Sequence, residues 1–336
     1  MTRWDLLAVG GRIHSLEREG EVFSAIAVSG GKVAALFTED PSPATAARAR
    51  HVVDLDGRGV LPGLIDGHMH FLPSAVFREA ALAVADIRPD GLAAQSLASI
   101  RDKMRAYAAP LPSGRPVFCH TYLIDAVKEK RLPRREELDA WVPGRAVIVL
   151  SMDGHSSAYS TRALEALGLL ASCPDGVLSG SGHELSMGKV NSLLAGSVTL
   201  GMLARGIQDV VNDALSQGLV CLHCMDGFED SKRDPALWLL SRCGGTLPID
   251  LRLFIQYRDP ARLAPYRRFL RDARIGGCFG WAMDGSISSG IAALDEPYVS
   301  DPENRGRLYF SAAEAAALVQ RAARAGFQVT AHAIGT

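Results

Sequence analysis

No apolar run in this 336-residue sequence approaches the ~20 residues that a membrane-spanning helix needs. The chain also has almost no net charge, because 36 lysines and arginines oppose 37 aspartates and glutamates. It therefore offers no electrostatic footprint for nucleic acid or an anionic membrane. The N-terminus leads into a mixed strand pattern and lacks the segments of a signal peptide. We expect a cytoplasmic protein whose partner is a small molecule, not nucleic acid or a membrane.

Cysteines are few, with six scattered through the chain. This spacing favours reduced, mostly buried thiols over a disulfide framework. Cys221 and Cys224 are the one closely spaced pair, but a structural zinc site would need a second pair of ligands. Cys243 and Cys278 stand alone, so we interpret the first pair as core thiols on a buried strand.

The length and a hydrophobic fraction of 48% allow a large core and about two domains. Residues 1–61 show short strand patterns separated by turns. The clearest turn is Ser29-Gly30-Gly31-Lys32, between two apolar runs, since a tight primed turn needs positive φ. The pattern predicts a small antiparallel β domain over 1–61.

Residues 62–336 alternate helices with short buried strands, which indicates parallel strands joined by crossover helices. Five such strands are predicted near residues 64–70, 219–224, 249–255, 279–284 and 328–335. The helix before the last strand has Ser311 as N-cap and Glu314 three residues later. Residues 77–197 show helical periodicity broken by loops and are interpreted as an insertion. A closed (β/α) barrel needs eight strands, so we expect an α/β fold truncated after strand five.

The first of these strands ends in Asp66-Gly67-His68-Met69-His70. Side chains alternate along a strand, so His68 and His70 point to one face and can chelate one ion. A surface pair, or hydrogen-bonded core histidines, is the alternative. Another histidine, His332, lies near the end of the fifth strand. A divalent metal on neutral imidazoles lowers the pKa of bound water toward ~7 and polarises a carbonyl, which is chemistry for hydrolysis.

The run Leu61-Pro62-Gly63-Leu64-Ile65-Asp66-Gly67-His68-Met69-His70 resembles the signature of the amidohydrolase superfamily. Further motifs are similar to its YtcJ-like branch, which is related to N-substituted formamide deformylase. They are Arg131-Leu132-Pro133, Asp153-Gly154-His155-Ser156, Met283-Asp284-Gly285-Ser286 and His332-Ala333-Ile334-Gly335. The resemblance implies a metal-dependent hydrolase with a TIM barrel, a small N-terminal β-sandwich domain and a large insertion after strand one.

By this resemblance His68, His70 and His332 are metal ligands. Many relatives carry a metal-bridging lysine four residues before the Asp-Gly-Ser motif, where this chain has Gly280. We therefore expect one ion, zinc in the first place and iron as the alternative, since three imidazoles suit both.

The resemblance also places His155 and Glu184 at the substrate pocket, and Asp284 is added because it ends the predicted strand four and barrel strand ends face the site. The alternatives are a histidine that orients a loop, an aspartate that caps a turn, and a solvated carboxylate. The other histidines are interpreted as core (His223) or as ordinary surface or capped residues (His14, His51, His120 and His183).

The family's strand-six histidine and its strand-eight aspartate, the base that takes a proton from water, have no position before Thr336. No catalytic base is therefore assigned. We expect the N-terminal part of a hydrolase of non-peptide carbon–nitrogen bonds (amide, formamide or cyclic amidine), poorly active alone. The alternatives are a one-metal heterocycle deaminase and a non-catalytic truncated remnant that forms homo-oligomers through an exposed barrel edge.

Overall fold

The structure is a computed structural model, and it describes residues 3–88, 91–93, 95–227, 234–267, 272, 274–287 and 289–336. The chain packs as two units, Met1–Leu64 and Ile65–Thr336. Each unit has a hydrophobic core of its own.

The first unit contains seven described strands and one short helix. They are β1 (Trp4–Val9), β2 (Arg12–His14), β3 (Val22–Phe23), β4 (Ala25–Ser29), β5 (Lys32–Phe37), α1 (Pro43–Ala46), β6 (Ala49–Asp54) and β7 (Gly59–Val60). One sheet has the order β5-β4-β1-β6 and the other β3-β2-β7. The predicted hairpin joins β4 and β5 through Gly30 and Gly31, whose φ angles are 57° and 73°.

The sequence pattern predicted an antiparallel unit, but the structure contains two parallel strand pairs. Strand β6 runs parallel to β1, and β7 runs parallel to β2. In each of these two pairs, a long stretch of chain separates the two strands. The apolar alternation within one strand does not indicate the direction of its neighbour. Trp4, Leu7, Ala25 and Ala27 form the buried core.

The remaining strands all begin at or after residue 64. They are β8 (Leu64–Met69), β9 (Ala81–Ala83), β10 (Ile87–Arg88), β11 (Gly91–Leu92), β12 (Val117–Tyr122), β13 (Val147–Ser151), β14 (Ser156–Tyr159), β15 (Val177–Ser179), β16 (Leu219–Asp226), β17 (Asp250–Ile255), β18 (Arg274–Ala282) and β19 (Gln328–His332). They form two five-stranded sheets and one small hairpin.

The helices of this unit connect and cover those sheets. They are α2 (Phe71–Ala80), α3 (Leu97–Ala108), α4 (Arg135–Trp141), α5 (Thr161–Leu167), α6 (Gly180–Ala195), α7 (Leu200–Ser216), α8 (Pro235–Cys243), α9 (Ala264–Arg267) and α10 (Ala312–Arg324). Among the described residues no single helix has the length and apolarity to cross a bilayer. Ser186–Ala195 and Leu200–Ser216 reach them only as a pair bent by 108°.

The main sheet has the order β19-β18-β17-β16-β8. Its pairs β16–β17, β17–β18 and β18–β19 are all parallel, so it is a half-barrel of the predicted kind. Helices α2 and α7 pack very closely, since a Cβ on Gly206 would lie 2.0 Å from the Ala75 carbonyl oxygen. Helix α10 begins with the predicted capping box of Ser311 and Glu314.

The second sheet lies within residues 77–197 and has the order β15-β14-β13-β12-β9. We expected helices and loops here. Strands β9, β12 and β13 run parallel, whereas β14 and β15 are antiparallel additions. Strand β13 is buried on both faces, so its residues form a continuous apolar run without the alternation that identifies a strand.

Candidate metal centre

A cavity of about 400 Å³ opens in the second unit where β8 and β19 end. Its lining includes six of the nine histidines, His68, His70, His120, His155, His183 and His332. Apolar side chains line it as well, namely Phe77, Leu150, Met152, Met187, Val190 and Leu194. A concave site with few converging polar groups on an apolar wall is typical of a small-molecule site.

Three residues that line the cavity have the geometry of a metal site, namely His68, His70 and Cys278. One ligand atom of each lies within 4.8 Å of those of the other two. Cys278 Sγ is 3.3 Å from His68 Nε2. Strand β8 supplies His68, its end at the start of α2 supplies His70, and β18 supplies Cys278. Imidazole nitrogen and thiolate sulfur are zinc ligands, so this donor set fits a divalent metal.

His70 is held in one orientation by the neighbouring strand. Its Nδ1 lies 2.8 Å from the Met225 carbonyl oxygen, which can only accept, so Nδ1 carries the hydrogen and Nε2 the lone pair. Burial lowers the pKa of His70; the Met225 bond opposes this shift, while nearby His68 and His332 add to it. The ring is therefore neutral over a wider pH range, and the neutral ring is the form that binds metal.

His332, the third predicted ligand, lines the same cavity but is not part of this three-residue group. Its Nε2 lies 3.3 Å from the Gly285 carbonyl oxygen, and its ring centroid is 5.3 Å from that of His155. Burial lowers the pKa of His332, and His155 and His68 lower it further. Its role as a ligand stays a prediction.

Cys278 was missed by the sequence reasoning, which placed it among scattered core thiols and looked for a strand-four ligand at Gly280. The register between β18 and β19 shifts between Gly277 and Ala282. Because of this irregularity, the residue that faces the cavity does not follow from counting back along the strand. The informative signal was the glycine pair just before Cys278, since glycines in a strand mark bulges and close approaches.

His155 lies on the cavity wall and is 7% exposed. The backbone N–H of His155 donates to Asp153 Oδ1 at 3.1 Å. The other oxygen of that carboxylate, Oδ2, accepts from Ser286 Oγ at 3.1 Å and from Ser289 Oγ at 2.6 Å. Asp153 thus ties the loop after β13 to the loop after β18 and fixes the backbone of His155 at the cavity.

The Asp284 carboxylate accepts backbone N–H bonds, as the capping alternative implies, and its role at the substrate stays a prediction. Asp284 is 2% exposed and is not among the described residues that line the cavity. Its carboxylate accepts backbone N–H bonds from Ala293 at 2.9 Å, Ile334 at 2.9 Å and Gly335 at 2.7 Å. It therefore orders the backbone after β19. The side chain of Glu184, on α6, is not among those described, so its role in the substrate pocket stays a prediction.

Two histidines that we had interpreted as ordinary surface or capped residues line the cavity instead. His183 is fully buried, with Nδ1 2.8 Å from Ser157 Oγ and Nε2 2.7 Å from the Gly154 carbonyl oxygen. The ring of His120 stacks on Phe77 with centroids 5.0 Å apart. His183 therefore anchors α6 to the loop that carries His155.

The sequence profile of the amidohydrolase family matches residues 51–336. The N-substituted formamide deformylase of Arthrobacter pascens is 23% identical over 98% of this chain, and YtcJ of Bacillus subtilis, named as an amidohydrolase, is 22% identical over 97%. The chain spans 63% of the length of each.

A solved structure, an uncharacterized metal-dependent hydrolase from Pyrococcus horikoshii, superimposes with a TM-score of 0.70 at 22% identity. The match covers 98% of this chain and 65% of that one, and it shows that the two share a fold. The family profile covers most of the sequence, including both strand ends that carry His68 and His332. This chain therefore belongs to the amidohydrolase family.

Proposed function

We propose that the protein is a metal-dependent hydrolase that cleaves non-peptide carbon–nitrogen bonds in small molecules. The observation that carries the proposal is the convergence of His68, His70 and Cys278 within 4.8 Å on the wall of an open cavity. Membership of the amidohydrolase family supports the class of reaction. A single zinc ion is the proposed cofactor, because a set of imidazoles and one thiol suits zinc better than the hard cations magnesium and calcium.

When bound, such an ion supplies an acidified water and polarises a carbonyl oxygen. The residues of the chain prepare the site for it. The Met225 carbonyl fixes the ring of His70, so that Nε2 faces away from the strand that holds it. His332 is proposed as a further ligand, since it lines the same cavity and burial favours its neutral form. His155 is proposed to contact substrate from the opposite loop, which Asp153 holds in place.

The cavity favours a substrate that has both polar and apolar groups. About 400 Å³ accommodates a small organic molecule, and six apolar side chains line the cavity together with the histidines. An amide or formamide with an apolar nitrogen substituent fits this mixed lining. The relative from Arthrobacter pascens is named for N-substituted formamides, which agrees with that class.

The test is turnover by the full product of the gene that encodes this chain, purified with zinc. N-substituted formamides, N-acyl amines and cyclic amidines form the panel, with formate, acid or ammonia release as the readout. We expect hydrolysis whose kcat/KM falls by more than ~100-fold in His68→Ala. Loss of a residue that only hydrogen-bonds to a ligand costs ~10–100-fold, and loss of the ligand itself should cost more. Turnover unchanged in His68→Ala would contradict the proposal, and release of ammonia alone would favour the deaminase alternative.

A further inference from the structure

We propose that Cys278 binds the metal as a thiolate, which makes the centre a His–His–Cys site, and that Gln256 is the residue that positions it. This inference rests on the proposed metal-dependent function and names the ligand set. The resemblance placed the strand-four ligand elsewhere, so the thiol is a property of this chain's own residues.

The distances match what one ion requires. Zinc binds sulfur at about 2.3 Å and imidazole nitrogen at about 2.0 Å, so two such atoms on a tetrahedral ion lie about 3.5 Å apart. Cys278 Sγ and His68 Nε2 are 3.3 Å apart. A hydrogen bond between thiol and imidazole is the competing explanation for that distance alone. It does not explain why His70, whose Nε2 carries the lone pair, joins the group within 4.8 Å.

Binding of a metal by Cys278 would release one proton. The thiol of Cys278 loses its proton to solvent as the sulfur–metal bond forms, and the metal exchanges a water for the sulfur. Two imidazoles and one thiolate would leave a fourth position for His332 or for a water, and catalytic zinc sites can expand to five ligands.

Behind the site, the buried side-chain amide of Gln256 joins the backbone of β16 to that of β18. Gln256 is 1% exposed, and its Oε1 accepts the backbone N–H of Cys278 at 2.5 Å. Its Nε2 donates to the Met225 carbonyl at 3.4 Å and to the Gly227 carbonyl at 3.0 Å. The Met225 carbonyl is the same one that orients His70. Gln256 therefore sets the relative position of two proposed ligands.

Gly277 makes this approach possible. Its φ is +138°, and a Cβ there would lie 2.5 Å from Gln256 Oε1 and 2.8 Å from Gln256 Cγ. A side chain at this position would push the amide away from the backbone of Cys278. The close contact of Gln256 with Cys278 therefore requires Gly277.

The first experiment compares Cys278→Ser with Cys243→Ser, a matched control because Cys243 is an exposed free cysteine. Each full chain is loaded with cobalt(II), a spectroscopic substitute for zinc, and the thiolate-to-cobalt charge-transfer absorption is recorded. Zinc affinity is measured by competition with a chelator, and circular dichroism checks folding. We expect the absorption in the wild type and in Cys243→Ser. Cys278→Ser should lack it and bind zinc at least ~10-fold more weakly.

The possible failures are distinct. If the wild type binds one ion without charge-transfer absorption, and Cys278→Ser keeps its zinc affinity, the thiolate inference is overturned while the metal-dependent function stands. If the wild type binds no ion, or His68→Ala binds as well as the wild type, the proposed function fails as well. Protection of Cys278 from alkylation by zinc, read by mass spectrometry, gives the same distinction without cobalt.

The second experiment tests the positioning residue. Gln256→Leu is compared with Gln95→Leu, since Gln95 is also buried, at 7% exposure, and also donates to a carbonyl, that of Val84 at 2.5 Å. Both variants lose a buried amide, so both should be destabilised. Only Gln256→Leu should change the cobalt spectrum and weaken zinc binding by ~10–100-fold. An unchanged cobalt spectrum in Gln256→Leu would overturn the positioning role.

Discussion

Asp226 is expected to make the stability of the protein depend on pH between about 5 and 8. This carboxyl lies at the end of β16, is 1% exposed, and its Oδ1 accepts the Leu72 N–H at 3.1 Å. Its Oδ2 has no hydrogen-bond partner among the described residues. Burial raises the pKa of Asp226 to about 7, although the backbone N–H bonds from Leu72 and Phe71 oppose the shift.

The sign follows from proton binding. The unfolded carboxyl has a pKa of about 3.9, so between pH 4 and 7 the folded state holds a proton that the unfolded state has released. The free energy of unfolding therefore falls as pH rises through this range. At 1.36 kcal/mol for each pKa unit, the contribution lost between pH 5 and pH 8 is about 3 kcal/mol.

Asp226→Asn isolates this contribution, because the amide does not titrate and its oxygen can still accept from Leu72. Urea unfolding is measured at pH 5, 6, 7 and 8 for the wild type, for Asp226→Asn, and for Asp209→Asn, a control at an exposed position of α7. Relative to the wild type, Asp226→Asn should gain about 3 kcal/mol between pH 5 and 8. Asp209→Asn should follow the wild type. Equal pH dependence in all three proteins would refute the argument.

Three further outcomes are expected. Zinc at a free concentration 100 times its Kd should raise the free energy of unfolding by about 2.7 kcal/mol in thermal or urea unfolding, and no effect would argue against a site in the folded state. Gly206→Ala should lower that free energy by about 1–3 kcal/mol in urea unfolding, since its methyl would overlap the Ala75 carbonyl, whereas Gly20→Ala, with open space around it, is a comparison in which only backbone strain acts. Ser311→Ala should cost about 1 kcal/mol by removing the cap of α10, and an unchanged urea midpoint would contradict that role.

The local features that depend on neighbouring residues were predictable from the sequence. The capping box of Ser311 and Glu314 is one, and the hairpin at Gly30 and Gly31 is another. The strand that carries His68 was also predicted, because an apolar run followed by alternating polar ligands fixes both its end and its face. These features need no knowledge of the rest of the chain.

What the sequence did not predict depends on contacts between distant segments. The sheet inside residues 77–197 consists largely of short buried strands, which periodicity does not distinguish from helix segments. His183 can be buried because its ring nitrogens bond to Ser157 and to Gly154. These partners precede it by more than 25 residues, so the local sequence does not reveal them. Cys278 reaches the site through an irregularity between β18 and β19 that a strict alternation of faces cannot anticipate.

The carboxylate of Asp153 has a consequence for attempts to redesign this protein. It joins the loop after β13, in the second sheet, to the Ser286 and Ser289 loop of the half-barrel. Exchanging residues 77–197 with the corresponding segment of a relative would therefore break these hydrogen bonds unless the aspartate and both serines are transferred together. Libraries that randomise one of these two loops while leaving the other fixed should mostly lose the contacts that hold the backbone of His155 at the cavity.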